Sequence, residues 1–167
     1  MKASLWVLLL DLCLMSCSFS SFSSTKEHLV YDEEIVAQLP DYQPFGGDSF
    51  SFVVFDREFD LYKLAEESVS HIKKDGENIE YDKASQAYRI FRSKNSWTLN
   101  RLNEKQGKFI PIAFIASCRK TFGTETILCT FKKNLNGKGY QYTLDNANTH
   151  LADEILKVLP RLSGNNR

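Results

Sequence analysis

The sequence predicts an α+β fold, a single antiparallel sheet of about six or seven strands packed with two amphipathic helices. Three observations predict it. Three consecutive apolar segments, Phe109–Cys118, Thr126–Lys133 and Gly139–Leu144, are separated by short turn signals. Two other stretches, Leu61–Lys74 and the residues after Leu144, carry apolar side chains at helical spacing. A length of 167 residues, 43% hydrophobic and 25% charged, suits one domain around one core.

In chain order, Lys26–Gly47 shows no sustained period. Asp32-Glu33-Glu34 ahead of Ile35-Val36-Ala37 suits a short helical turn, and Pro40, Pro44 and Gly46-Gly47 punctuate the residues after it. Ser49–Phe55 alternates, with Phe50, Phe52 and Val54 on one side, and reads as a strand. Asp60 caps a helix over Leu61–Lys74, whose stripe is Leu61, Leu64, Ala65, Ser68 and Ile72. Lys73-Lys74 suits the negative end of its dipole and Gly76 suits its stop. Asn78–Asp82 and Ala87–Arg92 form a hairpin around Lys83–Gln86, with Ile79 and Tyr81 facing Tyr88 and Ile90. Ser96–Leu102 is a strand with Trp97 and Leu99 on one side, and the polar run Asn103–Lys108 turns into the next segment.

That next segment opens a three-strand meander. Gly123-Thr124 suits a two-residue type II′ turn, because Gly tolerates positive φ at the first central position. The implied register sets Phe114 opposite Lys133 and Cys118 across from Cys129, as a hydrogen-bonded pair. Asn136-Gly137 suits the second turn and sets Phe131 against Tyr142 and Cys129 against Leu144. Alternation then places Ile112, Phe114, Ala116, Cys118, Ile127, Cys129, Phe131, Tyr140, Tyr142 and Leu144 on one face, with Lys133 at its end. Asp145 or Asn146 caps a last helix with the stripe Leu151, Ile155, Val158, Leu159 and Leu162, bent near its end by Pro160. Cys118 and Cys129 are either two core thiols or a cross-strand disulfide, and the compartment decides between them.

The first residues speak to compartment. Lys2 followed by the short apolar run Leu5–Met15, broken only by Asp11, has the build of a secretory signal and is too short to span a bilayer. Leu14-Met15-Ser16-Cys17 resembles the lipobox of bacterial lipoprotein precursors, with Leu at −3, a small residue at −1 and Cys at +1. The resemblance implies cleavage after residue 16, a diacylglycerol on the Cys17 thiol and usually an acylated amino group. Ser18 at +2 resembles the residue that lets such proteins move on to the outer membrane. The expected organisation is a signal peptide over 1–16, a lipidated Cys and Ser-rich tether over 17–25, and one domain over 26–167. Acyl chains hold a domain on a membrane firmly, at about 0.8 kcal/mol per buried CH₂. With Cys13 lost and Cys17 lipidated, Cys118 and Cys129 remain as an even pair, which suits an oxidising periplasm. Ordinary secretion, with cleavage in the Ser-Phe run, is the alternative. The order strand, helix, about six antiparallel strands, helix resembles that of the PsbP-like fold group, whose bacterial members include secreted lipoproteins.

Little in the chain points to catalysis. His28 lies in or beside the tether, while His71 and His150 are isolated on helix flanks. No pair has metal-ligand spacing, so no metal is expected. There is no Gly-x-Ser-x-Gly, phosphate loop or dinucleotide fingerprint, so no cofactor and no enzyme is expected. Zero net charge in an exported chain argues against nucleic acid. Charge is nevertheless uneven: Lys26–Glu67 holds 11 acidic and 3 basic residues, net −8, and Ser68–Arg167 holds 9 acidic and 17 basic, net +8. Either the two stretches pair or are solvated, or a basic surface meets an anionic partner. Tyr42, Phe45, Arg89, Arg92, Lys94, Arg119 and Lys120 are the candidate partner surface. The expected function is a non-enzymatic protein-binding or assembly module anchored in the bacterial envelope. The alternatives are an inhibitor or immunity protein that plugs a toxin or hydrolase, and a small-ligand carrier or enzyme using a pocket between sheet and helices.

Overall fold

The computed structural model describes residues 24–164, so the expected signal peptide, Cys17 and nearly all of the Ser-rich tether lie outside the described residues. The described chain forms β1 (Thr25–Tyr31), α1 (Asp32–Val36), β2 (Ser49–Phe55), α2 (Leu61–Val69), β3 (Ile79–Asp82), β4 (Ala87–Ser93), β5 (Ser96–Lys105), β6 (Lys108–Lys120), β7 (Ile127–Leu135), β8 (Lys138–Asp145), a 3-10 turn at Thr149–Leu151 and α3 (Ala152–Gly164). Eight strands make one sheet in the order β1-β2-β8-β7-β6-β5-β4-β3, every neighbour antiparallel. The α+β architecture stands as expected, with one strand more than anticipated. The extra strand is β1, which holds residues assigned to the tether's edge and to an aperiodic stretch. Only His28 and Val30 turn inward from it, and the charges around them hide the alternation.

Turn chemistry builds the centre. Asn136 (φ 52°) and Gly137 (φ 76°) form the expected two-residue turn, with both central residues at positive φ as type I′ requires. Gln106 (φ 51°) and Gly107 (φ 72°) form a second turn of the same kind, so β5 and β6 run further than the polar sequence implies. The turn at Gly123 differs from expectation. The Thr124 N–H donates to the Thr121 carbonyl (3.3 Å), so Gly123 (φ 75°) occupies the third position of its turn. The Thr121 N–H in turn bonds the Thr126 carbonyl (2.8 Å), closing a four-residue loop. The register holds over Ala116–Lys120, with Cys118 opposite Cys129, and Phe131 is opposite Tyr142, but the β6–β7 ladder ends at Ala116 and Phe114 is not paired with Lys133. The alternation of hydrogen-bonded and open pairs shifts by one, however. Cys118 and Cys129 therefore form a non-hydrogen-bonded pair with Cα atoms 4.1 Å apart, the closer of the two spacings.

The helices lie on opposite faces. On one, Ala152, Ile155, Val158, Leu159 and Leu162 of α3 pack on Phe52, Cys118, Cys129, Phe131, Tyr142 and Leu144. Each buried Ile, Val or Leu among these contributes about 1.5–3 kcal/mol, which outweighs the roughly 1 kcal/mol of a missing cap. Neither Asp145 nor Asn146 caps the helix: it is entered through the 3-10 turn, and Asn148 ahead of that turn makes no capping bond. The Tyr142 hydroxyl donates to the Ala152 carbonyl (2.6 Å), and Lys133 at the end of the face pairs with Asp153 (2.8 Å).

On the other face, α2 buries Ala65 and Ser68 against β6. Asp60 caps it by accepting from the Lys63 N–H (2.9 Å), but it stops at Val69. Ser68 and Ser70 hydroxyls donate back to the carbonyls of Leu64 and Glu67, a competition that weakens helix ends. The segment leading into α2 crosses the sheet at Gly139, where a Cβ would lie 2.9 Å from both the Arg57 carbonyl oxygen and the Phe59 ring. The Asn134 amide fixes that crossing, accepting from the Phe59 N–H (2.8 Å) and donating to its carbonyl (2.9 Å).

Ile112 and Ile115 of β6 have no partner residue on β5, so the strand slips twice. The slip at Ile115 pairs Phe114 with Asn100 and moves it off the face of Ala116. Ile112, placed by alternation in the core, is 52% exposed for the same reason.

Candidate functional site

The sheet has two unlike ends. Thr25 pairs with Phe55, Phe55 with Gly139 and Gly139 with Asn134, so the chain enters the sheet beside the β7–β8 turn. At the opposite end lie the β4–β5 turn and the β6–β7 loop, joined by the Lys120 N–H donating to the Asn95 carbonyl (2.8 Å).

This far end assembles four of the seven residues named from sequence as a partner surface. Arg92, Lys94 and Arg119 are exposed, and none of them enters an ion pair among the described residues. Lys120 is half-buried and pairs with Glu125 (2.8 Å). Beside them Thr98, Ser117, Thr130 and Thr143 are successive partners across four strands, a row of hydroxyls on the face opposite α3. The Thr130 and Thr143 hydroxyls bond each other at 2.8 Å. An open groove of about 460 Å³ runs over this row, lined by strand residues alone, with Arg92 and Arg119 on its walls and Leu128 in it. Chemically it offers two guanidiniums and a bed of hydroxyls and methyls, which suits carboxylates on an extended segment.

Phe122, on the β6–β7 loop, is 97% exposed. Sequence reasoning passes over it, because one aromatic inside a polar turn leaves no periodic trace; its placement next to a turn glycine is the available signal.

The other three named residues are engaged internally. Tyr42 is 3% exposed, edge-on to Phe50 with its hydroxyl 3.4 Å from Asp32 Oδ1, and Phe45 packs on the core. The reason is a clip: the buried Asn148 amide accepts from the Gln43 N–H (2.8 Å) and donates to its carbonyl (2.7 Å). The proline-rich loop is thus sewn to the domain, and Tyr42 offers nothing to a partner. Burial, and then the Asp32 charge, hold its hydroxyl far above the usual tyrosine range. Arg89 lies 5.9 Å from the Trp97 ring centroid and pairs with Glu80 (3.2 Å) and Asp82 (3.0 Å). Burial would raise the Asp82 carboxyl, but bonds from Ser85, the Ala84 N–H and Arg89 bring it below its ordinary value.

A second cavity, about 290 Å³, opens on the α3 side, where Trp97, Leu99 and Ile127 surround Cys118 and Cys129. The two sulfurs are at disulfide distance, 2.09 Å, so neither is a free thiol for His150, which also lines this cavity. Among the described residues no group of His, Cys, Asp and Glu could hold a metal ion, and no helix is long and apolar enough to cross a membrane. His28, expected near the tether, is buried in β1 and stacked on Phe52 with ring centroids 5.0 Å apart. Burial first, then the charges of Lys26 and Lys138, lower its pKa. Comparison of the chain with protein-family models, curated proteins and solved structures finds no match.

Proposed function

We propose that the protein is a lipid-anchored module of the bacterial envelope that binds a protein partner and catalyses nothing. The observation carrying this reading is the polarity of the sheet. Residue 25 enters at one end, while Arg92, Lys94 and Arg119, in no ion pair among the described residues, and the exposed Phe122 sit at the other. A domain held by a lipid on Cys17 would carry that surface away from its own anchor, as a display module should. The lipobox-like Leu14–Cys17 and the paired Cys118 and Cys129 support the oxidising side of a membrane as its place. Mass spectrometry of the mature chain, together with fractionation of a Cys17→Ser variant, tests this. The expected outcome is an acylated Cys17 at the N-terminus and a variant that leaves the membrane fraction. A mature chain starting beyond residue 17 would refute the anchor.

The exposed Phe122 also favours a second reading, in which this loop plugs the active site of a hydrolase or toxin. An aromatic on a tight loop is a preformed anchor for a pocket, with little entropy to lose. A partner whose activity falls on binding would select this reading.

A further inference from the structure

We infer that the groove between Arg92 and Arg119 receives an acidic, extended segment of the partner protein, with Phe122 as the apolar anchor beside it. This rests on the reading of the chain as a protein-binding module and names the chemistry of the segment it binds.

The cations carry the first half of the argument. Arg89, Lys120 and Lys133 each have a carboxylate of their own within 3.2 Å. Arg92 and Arg119 line the groove without one among the described residues, and Lys94 stands exposed on the adjoining turn. Two guanidiniums facing a common trough match carboxylates in a way that lone surface lysines do not, because each can grip both oxygens at once. The floor carries the second half. Thr98, Ser117, Thr130 and Thr143 form a line of small side chains across four strands that lets a backbone lie close. Thr130 and Thr143 bond each other and the buried Thr98 accepts from Asn100, so Ser117 and one hydroxyl of the Thr130–Thr143 pair are left to donate to it. The trough is open to solvent and lined from adjacent strands, which fits a segment of chain better than an enclosed small molecule.

Charge alone would equally suit an anionic bilayer. The topology favours protein, because Phe122 and the two arginines lie at the end of the sheet remote from Thr25. A bilayer holding Cys17 would meet the β7–β8 end first.

The test is an NMR titration of the full mature chain in neutral detergent, read at the amides of Ser117, Arg119, Thr130 and Thr143. The probes are a synthetic Glu-rich peptide carrying one Leu, its Gln-for-Glu counterpart, inorganic phosphate, and phosphatidylglycerol bicelles. The acidic peptide is expected to shift these four amides, and its Gln counterpart to leave them in place. The double variant Arg92→Glu/Arg119→Glu should weaken binding by about ten-fold or more, and Phe122→Ala should weaken it while leaving the fold intact. Arg92→Gln/Arg119→Gln, which adds no repulsion, should weaken it less. Lys108→Glu, at the opposite end, should bind as the native chain does. Equal binding of both peptides, or undiminished binding by both arginine double variants, would overturn the proposal. So would a response to phosphate or the bicelles with none to the peptide. None of these readouts depends on acylation: a Cys17 found without lipid would sink the envelope reading and its topological argument, and the peptide and bicelle arms would still decide this one.

Discussion

Three asparagine side chains make the contacts here that backbone usually makes. Asn134 brackets Phe59 and Asn148 brackets Gln43, each donating to one carbonyl and accepting from one N–H of the same residue. Asn78 accepts from the Lys73 N–H (2.8 Å) and donates to the carbonyls of His71 and Phe91. Each pins an irregular segment to the sheet, and none is legible in the sequence, because a lone Asn in a polar run looks like a turn residue. Asn148→Ala would leave the Gln43 groups without these partners and cost about 1–3 kcal/mol, read as a lower denaturation midpoint. His28 gives a pH signature. Its folded pKa lies below the ordinary 6.5, so above pH 6.5 both folded and unfolded forms are neutral and nothing is lost. As pH falls through 6.5 toward the lowered value, the unfolded chain takes the proton first and stability declines. Asp32 acts with the opposite sign: burial raises its pKa above 3.8, so stability rises as pH falls through the raised value toward 3.8. His28→Phe in an Asp32→Asn background should flatten the first decline, as measured by denaturation across that range.

At the scale of elements, the meander is legible because two signals coincide in it, alternating apolar residues and turn residues of defined φ. Where one signal is missing, the reading slips. Alternation cannot reveal a bulge, so it sets Phe114 on the wrong face and places the exposed Ile112 in the core. Helical periodicity cannot reveal hydroxyls that bond backward, so it carries α2 on to Lys74 when the helix stops at Val69. Misjudging the loop at Gly123 also misjudges the cysteine site, which is of the closer, non-hydrogen-bonded kind. That pair spans 11 residues, and linking it restricts the unfolded chain at its most central hairpin. Removing both sulfurs by Cys118→Ala/Cys129→Ala should lower stability by about 2–3 kcal/mol. The native chain should lose a similar amount in reductant and the double variant none, when the two are compared in denaturant.

For the whole molecule, the fold class is within reach of the sequence and most of the site is not. The hydroxyl row draws one residue from each of four strands, and Arg92 joins Arg119 only through β5. Such a surface exists only once the register is fixed. The uneven charge leaves internal pairing and a basic surface both open, and Arg89 and Lys133 of that half take the first course, each bonded to carboxylates of its own domain. Packing is also uneven: β6, β7 and β8 lie under α3 or α2, whereas β3 is a four-residue edge strand with an exposed Tyr81. Amide hydrogen exchange should therefore be slowest in β7 and β8 and fastest in β3 and the tip of the β5–β6 hairpin.

The placement of β1 has a mechanical consequence. The strand starts at the end of the sheet opposite Phe122 and runs toward it, paired with β2 over all seven residues. If the chain is anchored before residue 24 and loaded at the Phe122 tip, as proposed above, the pull acts along the strand axis. Every rung of that ladder then shares the load in shear, and the rungs do not open in succession like a zip. Rupture under tension follows the unfolding rate of this pair of strands, so the joint resists best in the direction in which an anchored protein is tugged.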